Sequence, residues 1–194
     1  MKIGVLALQG DFEAHSQRLA QLGAEPVEMR YASQLREVQG LILPGGESST
    51  NIILLEREGL WDELLEFARE KPILGTCAGA ILLASHVSNP PQRSLAAMDM
   101  SVERNAYGRQ VDSSIRTIEP EPEFAERTAS GSLEAVFIRA PIIRSIGPEV
   151  SPLLRDGEEP ILVEQGLHLA ATFHPELTAD TRLHELFLDK VRSS

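Results

Sequence analysis

Short apolar runs alternate with segments of helical periodicity through the first half of the chain, and this alternation constrains the fold most. The runs end at glycine or proline, and apolar residues recur every three or four positions between them. Parallel strands need a crossover, usually a helix, so the pattern predicts a mostly parallel sheet with helices on both faces, three layers in all. Strands are predicted at 2–8, 26–29, 41–43 and 72–74, and helices at 12–22, 48–58, 60–69 and 80–84.

The second half of the chain shows strand-like runs without clear helices between them. Runs at 98–102, 111–118 and 136–138 predict a small antiparallel extension of the sheet. Runs at 161–163 and 167–172 flank Gln165-Gly166, which predicts a hairpin. A helix is expected at 180–192. No repeat or low-complexity tract divides the chain, so residues 1–194 are interpreted as one α/β domain.

Composition excludes several kinds of partner. The formal charge of −11 lacks the basic footprint that nucleic acids or anionic membrane surfaces require. No run approaches a membrane span, and the N-terminal run lacks the features of a signal peptide, so a cytoplasmic protein is expected. The chain has one cysteine, Cys77, and therefore no internal disulfide. A lone cysteine is either a small buried hydrophobe or a reactive thiol.

Gly75-Thr76-Cys77-Ala78-Gly79 lies between a predicted strand and a predicted helix, in the form of a nucleophile elbow with cysteine at its centre. A sharp turn there lifts the thiol above the carboxyl edge of the sheet. The flanking glycines allow close packing of strand and helix, and the helix N-terminus favours the thiolate. The alternative is a buried cysteine in an ordinary turn between strand and helix.

A thiolate nucleophile needs a base, and His174 is the candidate. It follows a predicted strand, so it is expected on the same carboxyl rim as the elbow. Glu176 is two residues further on and can orient the imidazole, which gives a Cys-His-Glu triad. His15 and His184 are interpreted as surface or packed residues of helices, His86 as the end of the elbow helix, and His168 as a strand residue facing either side. The alternatives are a helix-capping role for His174 and a helix-dipole role for Glu176.

Two glycine turns, Gly45-Gly46 and Gln9-Gly10, are expected on the same rim. Glycines let backbone N–H groups approach a ligand closely, as an oxyanion hole requires. The first turn lacks the Gly-Lys-Ser/Thr ending of a phosphate loop, so nucleotide binding is not predicted. Both turns could equally be tight structural connections. No cofactor is expected, and no ligand cluster predicts a metal site.

Two polar segments interrupt apolar surroundings, at 103–110 and around Arg139. Arginine binds carboxylates through a bidentate fork, and an amino-acid substrate carries such a group. Simple solvation of the surface explains the same arginines.

These motifs together resemble the class I, or triad, glutamine amidotransferases, through the elbow and His174-Pro175-Glu176. More narrowly, they resemble the glutaminase subunits of pyridoxal 5′-phosphate synthase. The matching segments, which span nearly the whole chain, are 4–10, 43–48, 75–79, 102–110, 137–141 and 173–178. Residues 88–97 match no motif.

The resemblance implies hydrolysis of L-glutamine to glutamate and ammonia through a thioester on Cys77, with His174 as base and Glu176 as its orienter. It implies glutamine contacts from Gly46, Glu47, Ser48, Arg104, Ile138 and Arg139. It places the oxyanion region at Gly45, Gly46 and Ala78, and Gln9-Gly10 is a candidate switch. The expected partner is the synthase subunit, in a large hetero-oligomer that activates the glutaminase and receives its ammonia.

Other functions fit parts of the pattern. The chain could supply ammonia to another synthase, such as that of histidine or guanylate biosynthesis. It could be a free-standing cysteine hydrolase of peptides or small amides, or a non-catalytic adaptor. The intact Cys77, His174 and Glu176 argue against the adaptor.

Overall fold

The computed structural model describes residues 1–106 and 113–194. Its helices are α1 Phe12–Gln21, α2 Ser48–Arg57, α3 Trp61–Glu70, α4 Ala78–Leu83, α5 Pro122–Arg127 and α6 Arg182–Ser193. Its strands are β1 Lys2–Leu6, β2 Glu25–Met29, β3 Gly40–Leu43, β4 Ile73–Thr76, β5 Ala84–Ser88, β6 Met98–Glu103, β7 Ser113–Ile118, β8 Leu133–Ile138, β9 Ile142–Ile146, β10 Ser151–Asp156, β11 Glu159–Gln165 and β12 His168–Ala171. Short 3-10 helices lie at Ala32–Glu37 and Pro175–Leu177.

The central sheet confirms the predicted α/β architecture. In the described part of the chain its strand order is β10-β11-β12-β4-β3-β1-β2. The five strands from β12 to β2 run parallel to one another. The predicted hairpin is also present, because β11 and β12 pair antiparallel across Gln165-Gly166. β10 continues the sheet antiparallel beyond β11.

Alternation along the buried strands divides the interior into two cores. In β3, Leu41 and Leu43 belong to one core and Ile42 belongs to the other. Successive side chains of a strand point to opposite faces, so a strand that is apolar throughout is covered on both sides. α3 packs into the first core through Leu64 and Phe67, and α1 and α6 pack into the second. The helices therefore cover both faces of the sheet, as predicted.

The prediction about the middle strands was wrong. The runs at 98–102 and 136–138 do not extend the central sheet. β6 lies between β5 and β9 in a separate three-stranded sheet, and β8 pairs with β7 in a two-stranded one. The antiparallel extension is instead β10-β11. Val111, at the start of the predicted run 111–118, lies outside the described residues, as do Tyr107 to Gln110 and Asp112.

The elbow helix begins two residues earlier and ends one residue earlier than predicted. α4 ends at Leu83 and the chain continues at once as β5, so His86 is an exposed strand residue rather than the end of a helix. In residues 1–106 and 113–194, no helix combines the length and apolar character needed to cross a membrane.

Candidate active site

Cys77 lies at the junction of β4 and α4, with a backbone conformation that ordinary residues avoid. Its φ is 49° and its ψ is −104°. Such a conformation costs on the order of 1–3 kcal/mol and persists only where the surroundings enforce it. The Cys77 amide donates to the carbonyl oxygen of Ala171 at 2.8 Å, which fastens the turn to the end of β12. This is the strained strand-to-helix turn of a nucleophile elbow.

The glycines flanking Cys77 are required by contact. A Cβ atom on Gly79 would lie 1.9 Å from the carbonyl oxygen of Leu43, and one on Gly75 would lie 2.6 Å from the Gly79 backbone. Real Cβ atoms do not approach backbone atoms this closely, so α4 sits against β3 and β4 only because both side chains are absent. The prediction of close packing between strand and helix is confirmed.

His174 and Glu176 lie on the same rim as the elbow. β12 runs parallel to β4, and the chain leaves its carboxyl end through His174 into the short 3-10 helix. His174 Nδ1 lies 2.7 Å from Glu176 Oε1. A carboxylate only accepts, so Nδ1 carries the proton and Nε2 is left for the Cys77 thiol. All three residues are buried.

The electrostatics of this group favour an ionised pair. Burial disfavours the imidazolium, but the hydrogen bonds and charges of Cys77 and Glu176 outweigh it and raise the pKa of His174 to about 10. Burial also opposes ionisation of Glu176, yet contacts with His15 and His174 prevail and hold the pKa of its carboxyl well below the usual range. At neutral pH the carboxylate is therefore charged and the imidazole is protonated. An imidazolium beside a thiol favours the nucleophilic thiolate.

A pocket opens beside Cys77. It is lined by each of the residues expected to contact glutamine: Gly46, Glu47, Ser48, Arg104, Ile138 and Arg139. They come from three separate parts of the sequence: the turn after β3, the end of β6 and the end of β8. The fold thus gathers the whole predicted substrate group around the thiol.

The two arginines of the pocket differ in their partners. Arg104 is buried, and its Nη2 donates to Glu47 Oε1 at 3.0 Å and to Ser49 Oγ at 2.7 Å. Glu47 is further occupied, since its Oε2 accepts from the Thr50 amide at 2.7 Å as the N-cap of α2. Arg139 is exposed, and no hydrogen bond or ion pair within residues 1–106 and 113–194 holds its guanidinium. Among the described residues, Arg139 is therefore the pocket cation whose guanidinium has no protein partner.

The two glycine turns are in direct contact. A Cβ on Gly10 would lie 2.0 Å from the Gly45 carbonyl oxygen, and one on Gly45 would lie 2.4 Å from His174 Cε1. Gln9 joins the turns, because its Nε2 donates to the Glu47 carbonyl at 2.5 Å and its Oε1 accepts from the Glu47 amide at 3.3 Å. Gly45 thus lies against His174. Ala78, the other residue of the expected oxyanion region, is the first residue of α4.

Two buried histidines lie behind His174 and Glu176, and the sequence did not predict either of them as a site residue. His15 on α1 and His184 on α6 are both fully buried. His15 Nε2 lies 3.2 Å from Glu176 Oε2, and His15 Nδ1 lies 3.0 Å from His184 Nε2. A signal was present in the sequence: each histidine falls on the apolar stripe of its helix, His15 between Phe12 and Leu19. A polar residue on such a stripe must find a buried partner.

His168 is excluded as an alternative base by its place in β12. It begins the strand, and His174 follows the strand's other end. The strand alone, from His168 to Ala171, spans about 10 Å at ~3.3 Å per residue, so His168 lies at the opposite end of β12 from the elbow. Burial is the first cause that lowers the pKa of His168.

Asp11, His174 and Glu176 each bring a ligand-type atom within 4.8 Å of the others. One of these contacts is the bond between His174 Nδ1 and Glu176 Oε1 described above.

Residues 88–97, which match no motif, pack beside the pocket. Gln92 Oε1 accepts from the Ser48 hydroxyl at 3.0 Å. Arg93 lies over the Trp61 ring, with its guanidinium carbon 4.1 Å from the ring centroid, and its Nη1 donates to Glu56 at 2.8 Å. The segment therefore buttresses α2, which begins at the pocket.

A parallel sheet with a strained cysteine elbow and a His–Glu pair at the end of a neighbouring strand defines a cysteine-nucleophile enzyme of the triad type. The model of the SNO glutamine amidotransferase family matches residues 5–193, and the chain belongs to this family.

Named relatives are similar over their full length. The pyridoxal 5′-phosphate synthase subunit PdxT of Solibacter usitatus is 57% identical over 98% of this chain and 99% of its own. The subunit of the same name from Deinococcus radiodurans is 50% identical over 97% and 96%. A crystal structure of a glutamine amidotransferase has a TM-score of 0.89 at 44% identity, covering 98% of both chains. PurLQS from Thermotoga maritima, at 17% identity and a TM-score of 0.74, shares the fold.

Proposed function

We propose that this protein is the glutaminase subunit of a pyridoxal 5′-phosphate synthase. It hydrolyses L-glutamine to L-glutamate and ammonia, and the synthase subunit receives the ammonia for pyridoxal 5′-phosphate formation. The observation that carries the catalytic part is the meeting of Cys77, His174 and Glu176 beside one pocket. Full-length similarity to subunits of that name carries the assignment to this synthase.

The first half-reaction forms a thioester. The Cys77 sulfur attacks the side-chain amide carbon of glutamine, and His174 holds the proton that the thiol has lost. As the tetrahedral intermediate collapses, the carbon–nitrogen bond breaks and His174 gives its proton to the departing nitrogen. Ammonia leaves, and a γ-glutamyl thioester remains on Cys77.

The second half-reaction frees Cys77. His174 takes a proton from water, and the resulting hydroxide adds to the thioester carbon. The carbon–sulfur bond then breaks, the new carboxyl group loses its proton to solvent as glutamate leaves, and the Cys77 sulfur and protonated His174 are back in their starting state. Glu176 keeps Nδ1 protonated throughout, so that Nε2 serves as the working nitrogen.

Substrate recognition rests on complementary charge. Arg139, whose guanidinium has no partner among residues 1–106 and 113–194, is assigned to the α-carboxylate of glutamine. Arg104 and Glu47 form an ion pair with each other, and together they make part of the pocket wall. Gly46, Ser48 and Ile138 complete the substrate contacts.

The developing oxyanion needs backbone donors close to the sulfur. The N–H groups around Gly45-Gly46 and of Ala78 are assigned to this role because both lie at Cys77. Because Gly10 contacts the Gly45 carbonyl, a movement of Gln9-Gly10 would shift the peptide between Gly45 and Gly46.

Ammonia delivery explains why the enzyme acts as a subunit. Ammonia released without an acceptor is lost to solvent, so hydrolysis is useful only when the synthase is docked. The two subunits form a large hetero-oligomer, which we place in the cytoplasm. The chain acts as a single domain over residues 1–194. A role with the synthase of histidine biosynthesis, or as a free-standing amide hydrolase, is not favoured by the relatives.

Loss of the nucleophile tests the proposal. Cys77→Ser should abolish glutamate release measured with the synthase subunit present, because serine has no comparable anionic form at neutral pH. A glutamine-analogue electrophile should label Cys77 in the wild-type protein, as located by mass spectrometry. Substantial glutamate release by folded Cys77→Ser protein would refute the assignment.

A further inference from the structure

We propose that His15, oriented by His184, is a positioning residue that holds the Glu176 carboxylate in line with His174. The inference rests on the proposed glutaminase function and extends the triad by two buried residues. It starts from the different surroundings of the two Glu176 oxygens. Oε1 lies 2.7 Å from His174 Nδ1, and Oε2 faces His15 Nε2 at 3.2 Å.

A glutamate carboxylate that is hydrogen-bonded at one oxygen only can rotate about its Cγ–Cδ bond. Such a rotation would weaken its hydrogen bond to the imidazole. Glu176 Oε2 is buried and has no well-aligned hydrogen bond within the described residues. The His15 Nε2 proton is aimed more nearly at Thr76 Oγ1, which lies 3.1 Å away. The contact of His15 with Oε2 is therefore one of proximity, and a small rotation of either group would convert it into a hydrogen bond.

His184 determines which nitrogen of His15 carries the proton. Burial, followed by the nearby His15, lowers the pKa of His184 to about 3, so this ring is neutral at pH 7. Its Nδ1 is buried without a hydrogen-bond partner in the described residues. A buried N–H without an acceptor is rarer than an unpaired acceptor, so the proton of His184 belongs on Nε2. There it donates to His15 Nδ1, which leaves the His15 proton on Nε2, facing Glu176 and Thr76.

The same helix also holds the Glu176 backbone. Arg18, one turn beyond His15 on α1, donates from Nε to the Glu176 carbonyl oxygen at 3.3 Å. α1 thus contacts both the carbonyl and the carboxylate of the orienting residue. Because α1 begins just after Gln9-Gly10, the position of the triad carboxylate is tied to the rim turn.

Variants of His15 separate positioning from packing. His15→Leu keeps an apolar side chain of similar size but removes the donor. It should lower the kcat of the complex with its synthase about 10- to 100-fold, as loss of outer partners does at other sites, while KM stays near the wild-type value. His15→Gln, whose amide reaches the place of Nε2, should restore most of the rate. His15→Asn, whose amide reaches only the place of Nδ1, should not.

His168→Leu is the matched control, because it removes another buried histidine that does not contact the triad. It should leave kcat unchanged. A second readout is the far-downfield proton resonance of His174 Nδ1–H in the full chain, which should shift in His15→Leu and His184→Leu but not in His168→Leu.

Equal kcat values for His15→Leu and wild type would overturn the proposal, as would equal impairment of His15→Gln and His15→Asn. If His15→Leu does not fold, the comparison of Gln with Asn decides. Absence of glutaminase activity in the wild-type complex would instead refute the proposed function, and the resonance of His174 would still test the contact with His15.

Discussion

Arg104 and Arg139 bring the same charge to one pocket in different ways. Arg104 is buried and shares its guanidinium between Glu47 and Ser49, so removing it would leave a carboxylate and a hydroxyl without their partner. Arg139 is exposed at the end of β8, with a φ of 46° that turns the chain at the rim. Because Arg139 has few contacts among the described residues, its guanidinium can donate hydrogen bonds to a ligand.

Arg139→Gln should therefore act on binding rather than on stability. A hydrogen bond to a charged group contributes about 1.5–3 kcal/mol, so the KM for glutamine should rise about 10- to 100-fold with little change in kcat. Steady-state glutamate release with the synthase present measures both. Arg36→Gln, at an exposed position outside the pocket, is the matched control. A fall in kcat at unchanged KM would contradict the assignment of Arg139 to the substrate carboxylate.

At the scale of elements, the elbow depends on three close backbone approaches. α4 packs against β3 and β4 without side chains between them, and the Cys77 amide fastens the turn to β12. Cys77 is held by the sheet itself, through the end of β4 and the bond to β12. Rigid elements of this kind keep catalytic groups in place more accurately than loops do.

Gly79→Ala should disrupt the elbow, because the added methyl group would lie 1.9 Å from the Leu43 carbonyl oxygen. We expect a loss of about 3 kcal/mol or more in the free energy of unfolding, measured by urea titration. Gly23→Ala is the control: it has open space but a φ of +77°, and it should lose only about 1–2 kcal/mol. Similar losses in the two variants would show that α4 can move away from β3 at little cost.

At the scale of the whole molecule, buried neutral histidines make stability depend on pH. His184 has its pKa lowered to about 3, while the unfolded chain binds that proton below about pH 6.5. The unfolded state is therefore favoured as pH falls from about 6.5 toward 3. His168, whose pKa burial also lowers, adds a loss of the same sign. Glu176 adds its own loss only below its ordinary pKa of 4.5.

The free energy of unfolding should thus decline between about pH 6.5 and 5, by at most about 1.4 kcal/mol per pH unit for each such histidine. His184→Gln should reduce this slope, and His86→Gln, at an exposed position on β5, should leave it unchanged. Chemical denaturation at several pH values measures the slope. An unaltered slope in His184→Gln would mean that His184 is not held neutral in the fold.

Coupling to the synthase is the other property of the whole molecule. Gly46 has a φ of +126°, a region essentially reserved for glycine, and the Gly45 carbonyl lies against Gly10. A rotation of the peptide between Gly45 and Gly46 would exchange the directions of its carbonyl and its N–H, and would so decide whether an N–H faces the oxyanion position. One such donor contributes about 100- to 1,000-fold in rate.

Saturating synthase should therefore raise glutamate release, and Gly46→Ala should remove most of the rise. Gly59→Ala, at a positive φ far from the pocket, should preserve it. Equal rates with and without synthase would contradict gating. A rise that survives in Gly46→Ala would move the switch to Gln9-Gly10.

Features that repeat locally could be predicted from the amino-acid sequence alone. Strand and helix periodicity predicted the parallel sheet, and the elbow and the residues after β12 predicted Cys77, His174 and Glu176 as site residues, because parallel strands bring their carboxyl ends to one rim. The places of β6 and β8 were settled by tertiary packing, since short strands of similar composition do not specify which sheet they join. Tertiary packing also decided the contact of His15 with Glu176, which depends on how α1 packs against the 3-10 helix Pro175–Leu177. Side chains 161 residues apart along the chain, those of His15 and Glu176, meet only once both helices are packed.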